Sequence, residues 1–111
     1  MSTIEWKYKD LVSHILQHGD RRETRNGTVL SVFGSSLKCD LKEGFPLLTS
    51  KRVFFRGIVE ELAWFLRGST NVNELRDKKV HIWDLNSETN GFDAGPIYGF
   101  QWRHFGAPYT D

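Results

Sequence analysis

The segment Leu48–Thr70, LTSKRVFFRGIVEELAWFLRGST, carries the strongest periodic signal in the chain. At 100° per residue, Phe54, Phe55, Ile58, Leu62, Phe65 and Leu66 fall on one stripe, the pattern of an amphipathic helix with a buried face. Arg56, Glu60, Ala63 and Arg67 fall on the opposite side, where Glu60 is one turn from Arg56 and is expected to pair with it in solvent. Glu61 lies instead on the edge of the apolar stripe, within about 40° of Phe54 and Phe65 on the same wheel. A half-dry carboxylate can hold or pass a proton near neutral pH, which a solvated one does poorly. Lys51 and Arg52 near the predicted first turn oppose the helix dipole and hint at an anionic partner.

Upstream, Ser2-Thr3-Ile4-Glu5 has the spacing of a capping box. Ile4, Tyr8, Leu11, Val12, Ile15 and Leu16 then repeat at helical spacing until Gly19 supplies a stop. Asp20 to Thr28, DRRETRNGT, reads as a polar loop with three arginines and an Asn-Gly turn. An arginine beside a glycine-containing loop suits phosphate, because guanidinium grips phosphate oxygens bidentately while glycine lets backbone N–H groups approach. Leu30 with Val32, then Leu37, Cys39 and Leu41, alternate with small or polar residues and predict two short strands around Gly34-Ser35-Ser36. Cys39 falls on the apolar side of that alternation and reads as a structural thiol.

Downstream, Gly68 ends the central helix and Asn71-Val72-Asn73-Glu74 should open a short one reaching about Lys78. Val80 to Trp83 reads as extended, and Ser87 to Asp93 as a polar loop. The ending, AGPIYGFQWRHFGAPYTD, looks too rich in Gly and Pro for a regular helix. Its Trp102, Phe105 and Tyr109 need cover, and a chain that stops just after such a run looks interrupted.

Composition narrows the classes further. With 111 residues, 39% hydrophobic and 26% charged, the chain is expected to be one small globular domain without repeats. A formal net charge of +1 offers no basic stripe for nucleic acid, and no run approaches the length of a membrane span. Trp102-Arg103-His104-Phe105 is the one hint of a nucleic-acid binder, and it should show little salt-dependent affinity. A single cysteine suits a reducing cytoplasm, or a nucleus.

Three blocks are more specific than any of this. FPLLTSKRVFFRGIVEELAWFLRGSTNVNEL, the Ile82-Trp83-Asp84 triplet and GPIYGFQWRHFGA at Gly95 to Ala107 closely resemble thymidylate synthase of the folate-dependent, cysteine-nucleophile type. The likeness runs in order through essentially all 111 residues and covers the amino-terminal part of that family's chain. It implies reductive methylation of deoxyuridylate (dUMP) to thymidylate (dTMP) by 5,10-methylenetetrahydrofolate, with a thiolate adding to C6 so that C5 becomes nucleophilic. The implied roles are catalytic for Glu61 and Tyr98, and dUMP phosphate binding for Arg25. Trp83 and Asn86 would line the folate site, Ile82 would pack on the folate ring, and Lys51 would lie near the folate's glutamate tail. No metal is expected.

The implied fold is α+β, with mixed α/β layers and helices packed on a mixed sheet that is incomplete in residues 1–111, a single partial domain. The intact family forms a homodimer through its sheets, so association is expected. The family's phosphate loop commonly reads Asp-Arg-Thr-Gly-Thr-Gly, whereas Thr24-Arg25-Asn26-Gly27-Thr28 is one residue shorter. The family's Pro-Pro-Cys-His nucleophile segment does not occur, so the chain is expected to be a fragment, inactive alone. A pyrimidine nucleotide hydroxymethylase would share Glu61, and a non-catalytic nucleotide- or folate-binding or dimerisation module is the alternative of a different class. Binding of nucleotide and a folate analogue without turnover would favour that module.

Overall fold

The computed structural model describes residues 2–110. They divide into two compact units, one running to Val53 and the other starting at Phe54.

The first unit opens with helix α1 (Thr3–His18), which exits at Gly19 in extended conformation. Ile4, Tyr8, Leu11 and Ile15 are half-buried, while Val12 and Leu16 are exposed. The capping box does not form, since Ser2 makes no side-chain cap. The Glu5 carboxylate turns inward instead, to Thr49 and Ser50. Next comes an antiparallel hairpin, β1 (Asp20–Thr24) and β2 (Gly27–Ser31), in register Arg22 to Val29 and Thr24 to Gly27. The stretch read as a polar loop is therefore mostly strand. Its polarity misleads because nearly every residue of both strands faces solvent. Thr28 Oγ1 donates to Glu23 across the ladder, and Thr24 Oγ1 donates to the Gly27 carbonyl at 2.8 Å. Leu37 to Leu41 form no strand; a single 3-10 turn (Leu41–Glu43) follows, capped by Asp40, which accepts from the Lys42 N–H. Alternation there finds no neighbour to pair with among the described residues.

Glu5 is the one charged residue that is buried among the described residues, at 2% exposure. Its pKa is lowered from 4.5 to about 2, chiefly by the Ser50 hydroxyl and then by the Thr49 hydroxyl and N–H, against burial, which pushes it up. A folded-state pKa below the unfolded value makes this site stabilising above about pH 4.5, and that contribution fades as pH falls from there toward 2. Acid titration followed by amide exchange at Thr49 should therefore show protection draining away across that window. In Glu5→Gln the drain should be absent; a parallel curve in the variant would place the acid lability elsewhere.

The second unit is built on α2 (Phe55–Leu66), which starts later than the predicted helix, whose first turn was expected near Lys51 and Arg52. Lys51 and Arg52 accordingly precede the helix and do not sit in its first turn. The helix stops where Gly68 takes φ of 74°, a left-handed conformation natural to glycine. Its buried positions are Gly57 and Trp64, not the predicted stripe: Ile58 and Leu62 are 47% and 48% exposed. The reason is the location of its partners. Trp64 packs with Val72, Leu75 and Val80, residues of and beside α3 (Asn73–Arg76), all fully buried. Its indole N–H donates to the Asn71 carbonyl at 3.1 Å. Glu60 does not pair with Arg56. Lys78 reaches it at 2.6 Å and lowers its pKa, while Arg56 donates to the Lys78 carbonyl at 2.9 Å.

Trp83 leads into α4 (Asp84–Ser87), then a 3-10 turn (Glu88–Asn90), and finally α5 (Tyr98–His104). The last corrects the expectation of an irregular ending. Gly99 does not break α5; a Cβ there would lie 2.7 Å from the Ser69 carbonyl oxygen, so glycine permits the close approach of α5 to the end of α2. Helices plus one small antiparallel sheet make the chain α+β, as expected.

Candidate functional site

In the second unit Glu61 is half-buried on α2, and its Oε1 accepts a hydrogen bond from the Trp83 indole N–H at 2.7 Å. An indole has one donor, and here it is spent on a carboxylate, the stronger kind of hydrogen bond. Trp83 is itself held. The fully buried Ser87 donates its hydroxyl to the Trp83 carbonyl at 2.9 Å, which locks the turn into α4. The Asn86 N–H closes the same turn on that carbonyl at 3.2 Å.

Around the acid stands a set of rings. Trp83 lies 6.2 Å from Tyr98, 5.9 Å from Trp64 and 6.3 Å from Phe65 by ring centroids. Phe65 is the hub, with Tyr98 at 5.3 Å, Trp102 at 5.5 Å and Trp64 at 5.6 Å. The edge-on geometries among Phe65, Trp83, Tyr98 and Trp102 are those aromatic quadrupoles favour. Tyr98 and Trp102 sit one helical turn apart on α5 and remain more than half exposed. Ile82 is exposed beside Trp83. The result is an aromatic shelf, open to solvent, with an anchored carboxylate at its edge.

A bracket fixes the segment entering α5. The Asp93 carboxylate accepts from the Tyr109 hydroxyl at 2.6 Å and from the Gly95 N–H at 2.9 Å. Burial pushes the Asp93 carboxyl up, but these donors, with Thr70, hold it below the usual range. Tyr109, expected to need cover, thus finds a partner, whereas Phe105 stays 85% exposed.

The second unit therefore brings Glu61, Trp83 and Tyr98 together, with Ile82 and Asn86 on the same turn as Trp83. Arg25 and Lys51 belong to the first unit. Arg25 is exposed in the two-residue loop of the β1–β2 hairpin, and Lys51 is exposed directly after the segment that Glu5 holds. Phe65 as the hub escaped the sequence reading, which assigned it to a core stripe. Trp102 would have joined Tyr98 by its i,i+4 spacing had the Gly99 segment been read as helix. Among the described residues no group of three His, Cys, Asp or Glu side chains could hold a metal ion, and no helix is long and apolar enough to cross a membrane.

Comparison with known proteins decides the family. The thymidylate synthase family model matches residues 6–111. The chain belongs to the thymidylate synthase family. It is 51% identical to a bovine thymidylate synthase and 50% identical to a human one, each across 96% of this chain. A maize bifunctional dihydrofolate reductase-thymidylate synthase is 50% identical across the same share. The chain spans only 34%, 38% and 23% of the length of these three relatives, respectively.

Proposed function

We propose that the chain supplies part of one thymidylate synthase domain, which in the intact enzyme methylates dUMP reductively to dTMP. The observation that carries this reading is the Glu61–Trp83 hydrogen bond of 2.7 Å beside the Tyr98 ring. The Trp83 indole holds one carboxylate oxygen of Glu61. The other has no protein partner among the described residues and is free to exchange a hydrogen bond or a proton with a bound pyrimidine. The Tyr98 hydroxyl is the second proton-handling group, close to the reacting C5. Trp83, Ile82 and Asn86 are assigned to the folate, whose flat ring suits a half-exposed aromatic shelf. Methylenetetrahydrofolate supplies the one-carbon unit and the reducing hydride. Arg25 is assigned to the dUMP 5′-phosphate, and Lys51 to the carboxylates of the folate's glutamate tail.

The reaction also needs a thiolate to add at C6. Cys39, the single cysteine of these residues, is half-buried in a cleft with Lys7, Lys38 and Phe45, and we assign it no such role. The 111 residues alone are therefore expected to leave dUMP unchanged. A homodimeric, cytoplasmic enzyme is the proposed setting.

A chimera tests the reading. These residues would replace the matching third of the bovine relative, and formation of dTMP from dUMP and methylenetetrahydrofolate would be measured. Turnover by the chimera and none by the 111-residue chain is the expected pair of results. A folded chimera without turnover, or a chain that turns over unaided, would overturn the proposal.

A further inference from the structure

Glu5 takes no part in the chemistry above, yet it is the buried charge of the first unit. Its Oε1 accepts the Thr49 N–H at 2.7 Å, the Ser50 hydroxyl at 2.8 Å and the Thr49 hydroxyl at 2.9 Å, and Oε2 lies 2.9 Å from that same hydroxyl. All three donors come from two consecutive residues more than forty positions away, and the next residue is Lys51. Burying a charge is expensive, and an apolar side chain usually serves stability as well or better. What a carboxylate does that an apolar side chain cannot is fix a backbone N–H and two adjacent hydroxyls in one orientation. It thereby sets the direction in which the following residue leaves. Thr49 and Ser50 lie outside any helix or strand, so no regular backbone ladder holds them.

We propose that Glu5 is a positioning residue for Lys51: by clamping Thr49 and Ser50 it pre-sets the Lys51 ammonium to receive the carboxylates of a folate's glutamate tail. The inference rests on the assignment of Lys51 made above. A lysine is a flexible point charge with large rotamer freedom, so a rigid backbone beneath it lessens what must be frozen on binding. Each added glutamate in the tail brings a further carboxylate, so the benefit appears as a dependence of affinity on tail length.

The test is calorimetric, on the 111-residue chain, with pteroylmonoglutamate and pteroyltriglutamate as probes. The quantity read is the ratio of the two affinities. In the parent chain the triglutamate should bind more tightly, and Lys51→Ala should remove the difference. Glu5→Gln keeps the side-chain shape but gives up the charge; it should cut the ratio about three- to tenfold, weakening the triglutamate more than the monoglutamate. A purely structural role would weaken both ligands together or neither, and either result overturns the inference while Lys51 keeps its role. A parent ratio of one overturns the Lys51 assignment and the inference with it. Should Glu5→Gln fail to fold, Ser50→Ala decides, because it removes one hydroxyl and should lower the ratio by a smaller step; no change in that variant also overturns the inference.

Discussion

Trp64→Ala is expected to abolish cooperative unfolding of the unit that begins at Phe54. Trp64 is fully buried against Val72, Leu75 and Val80, and its ring touches Phe65 and Trp83. Truncating a buried aromatic costs about 3–5 kcal/mol, and the Asn71 carbonyl would also lose its indole donor. Set against a stability of about 5–15 kcal/mol for a typical domain, that is a large share, and the core here is small. Urea titration by far-UV circular dichroism should show a transition moved to much lower urea or lost. Leu62→Ala supplies the contrast. Leu62 belongs to the stripe that periodicity marks as core, yet it is half exposed, so its truncation should cost no more than about 0.5 kcal/mol. If Leu62→Ala costs as much as Trp64→Ala, the buried face of α2 has been placed on the wrong side.

That contrast locates what a single sequence can and cannot reveal. Helix α2 was legible as a helix because 3.6-residue periodicity is a local signal. Which of its faces is buried depends on where α3 and Val80 come to lie, and no local pattern carries that. The start of α2 lies later than the periodicity suggests for a related reason. Thr49 and Ser50 are captured by Glu5, a partner more than forty residues off, and a captured segment does not continue into the helix. Helix α5 was missed because Gly99 has two opposite uses: it weakens a helix through backbone entropy, but it also admits a backbone as close as that of Ser69. The hairpin is only half legible: Leu30, alternating with Val32, marks part of β2, whereas β1 is polar throughout because it faces solvent, and Asn26-Gly27 is the cue to the turn.

The candidate site mixes local and tertiary signals. Glu61 was singled out because its angle put an acid at the edge of an apolar face, and the structure gives it an indole donor there. The aromatic blocks that carry the family likeness contain Phe65, Tyr98 and Trp102, which meet on one shelf. That the acid's partner is Trp83, twenty-two residues away, is a tertiary fact. Phe54, just before α2, and Ile58, Leu62 and Leu66 on it are about half exposed, as are Tyr98 and Trp102.

The second large effect concerns that acid. In the bovine chimera, Glu61→Gln should lower kcat by about 10²- to 10⁴-fold, the usual contribution of a positioned acid or base, with KM for dUMP changing by only a few-fold. The substitution is informative because an amide carbonyl can still accept the Trp83 indole N–H, so the turn before α4 keeps its anchor. What disappears is the ability to carry a charge and a proton. By the transition-state relation the loss amounts to about 3–5 kcal/mol of barrier. Trp83→Phe tests the other half of the pair. It leaves the carboxylate ionisable but frees it to swing, which removes one hydrogen bond to a charged group, worth about 1.5–3 kcal/mol. Its kcat should fall by less than that of Glu61→Gln, with weaker folate binding besides, because the ring also forms part of the shelf. Steady-state kinetics on the two variants gives the order. If Glu61→Gln stays within tenfold of the parent chimera, Glu61 is not the proton-handling group. If Trp83→Phe falls as far as Glu61→Gln, orientation of the carboxylate matters as much as its charge, and the indole must be counted among the groups that set the rate.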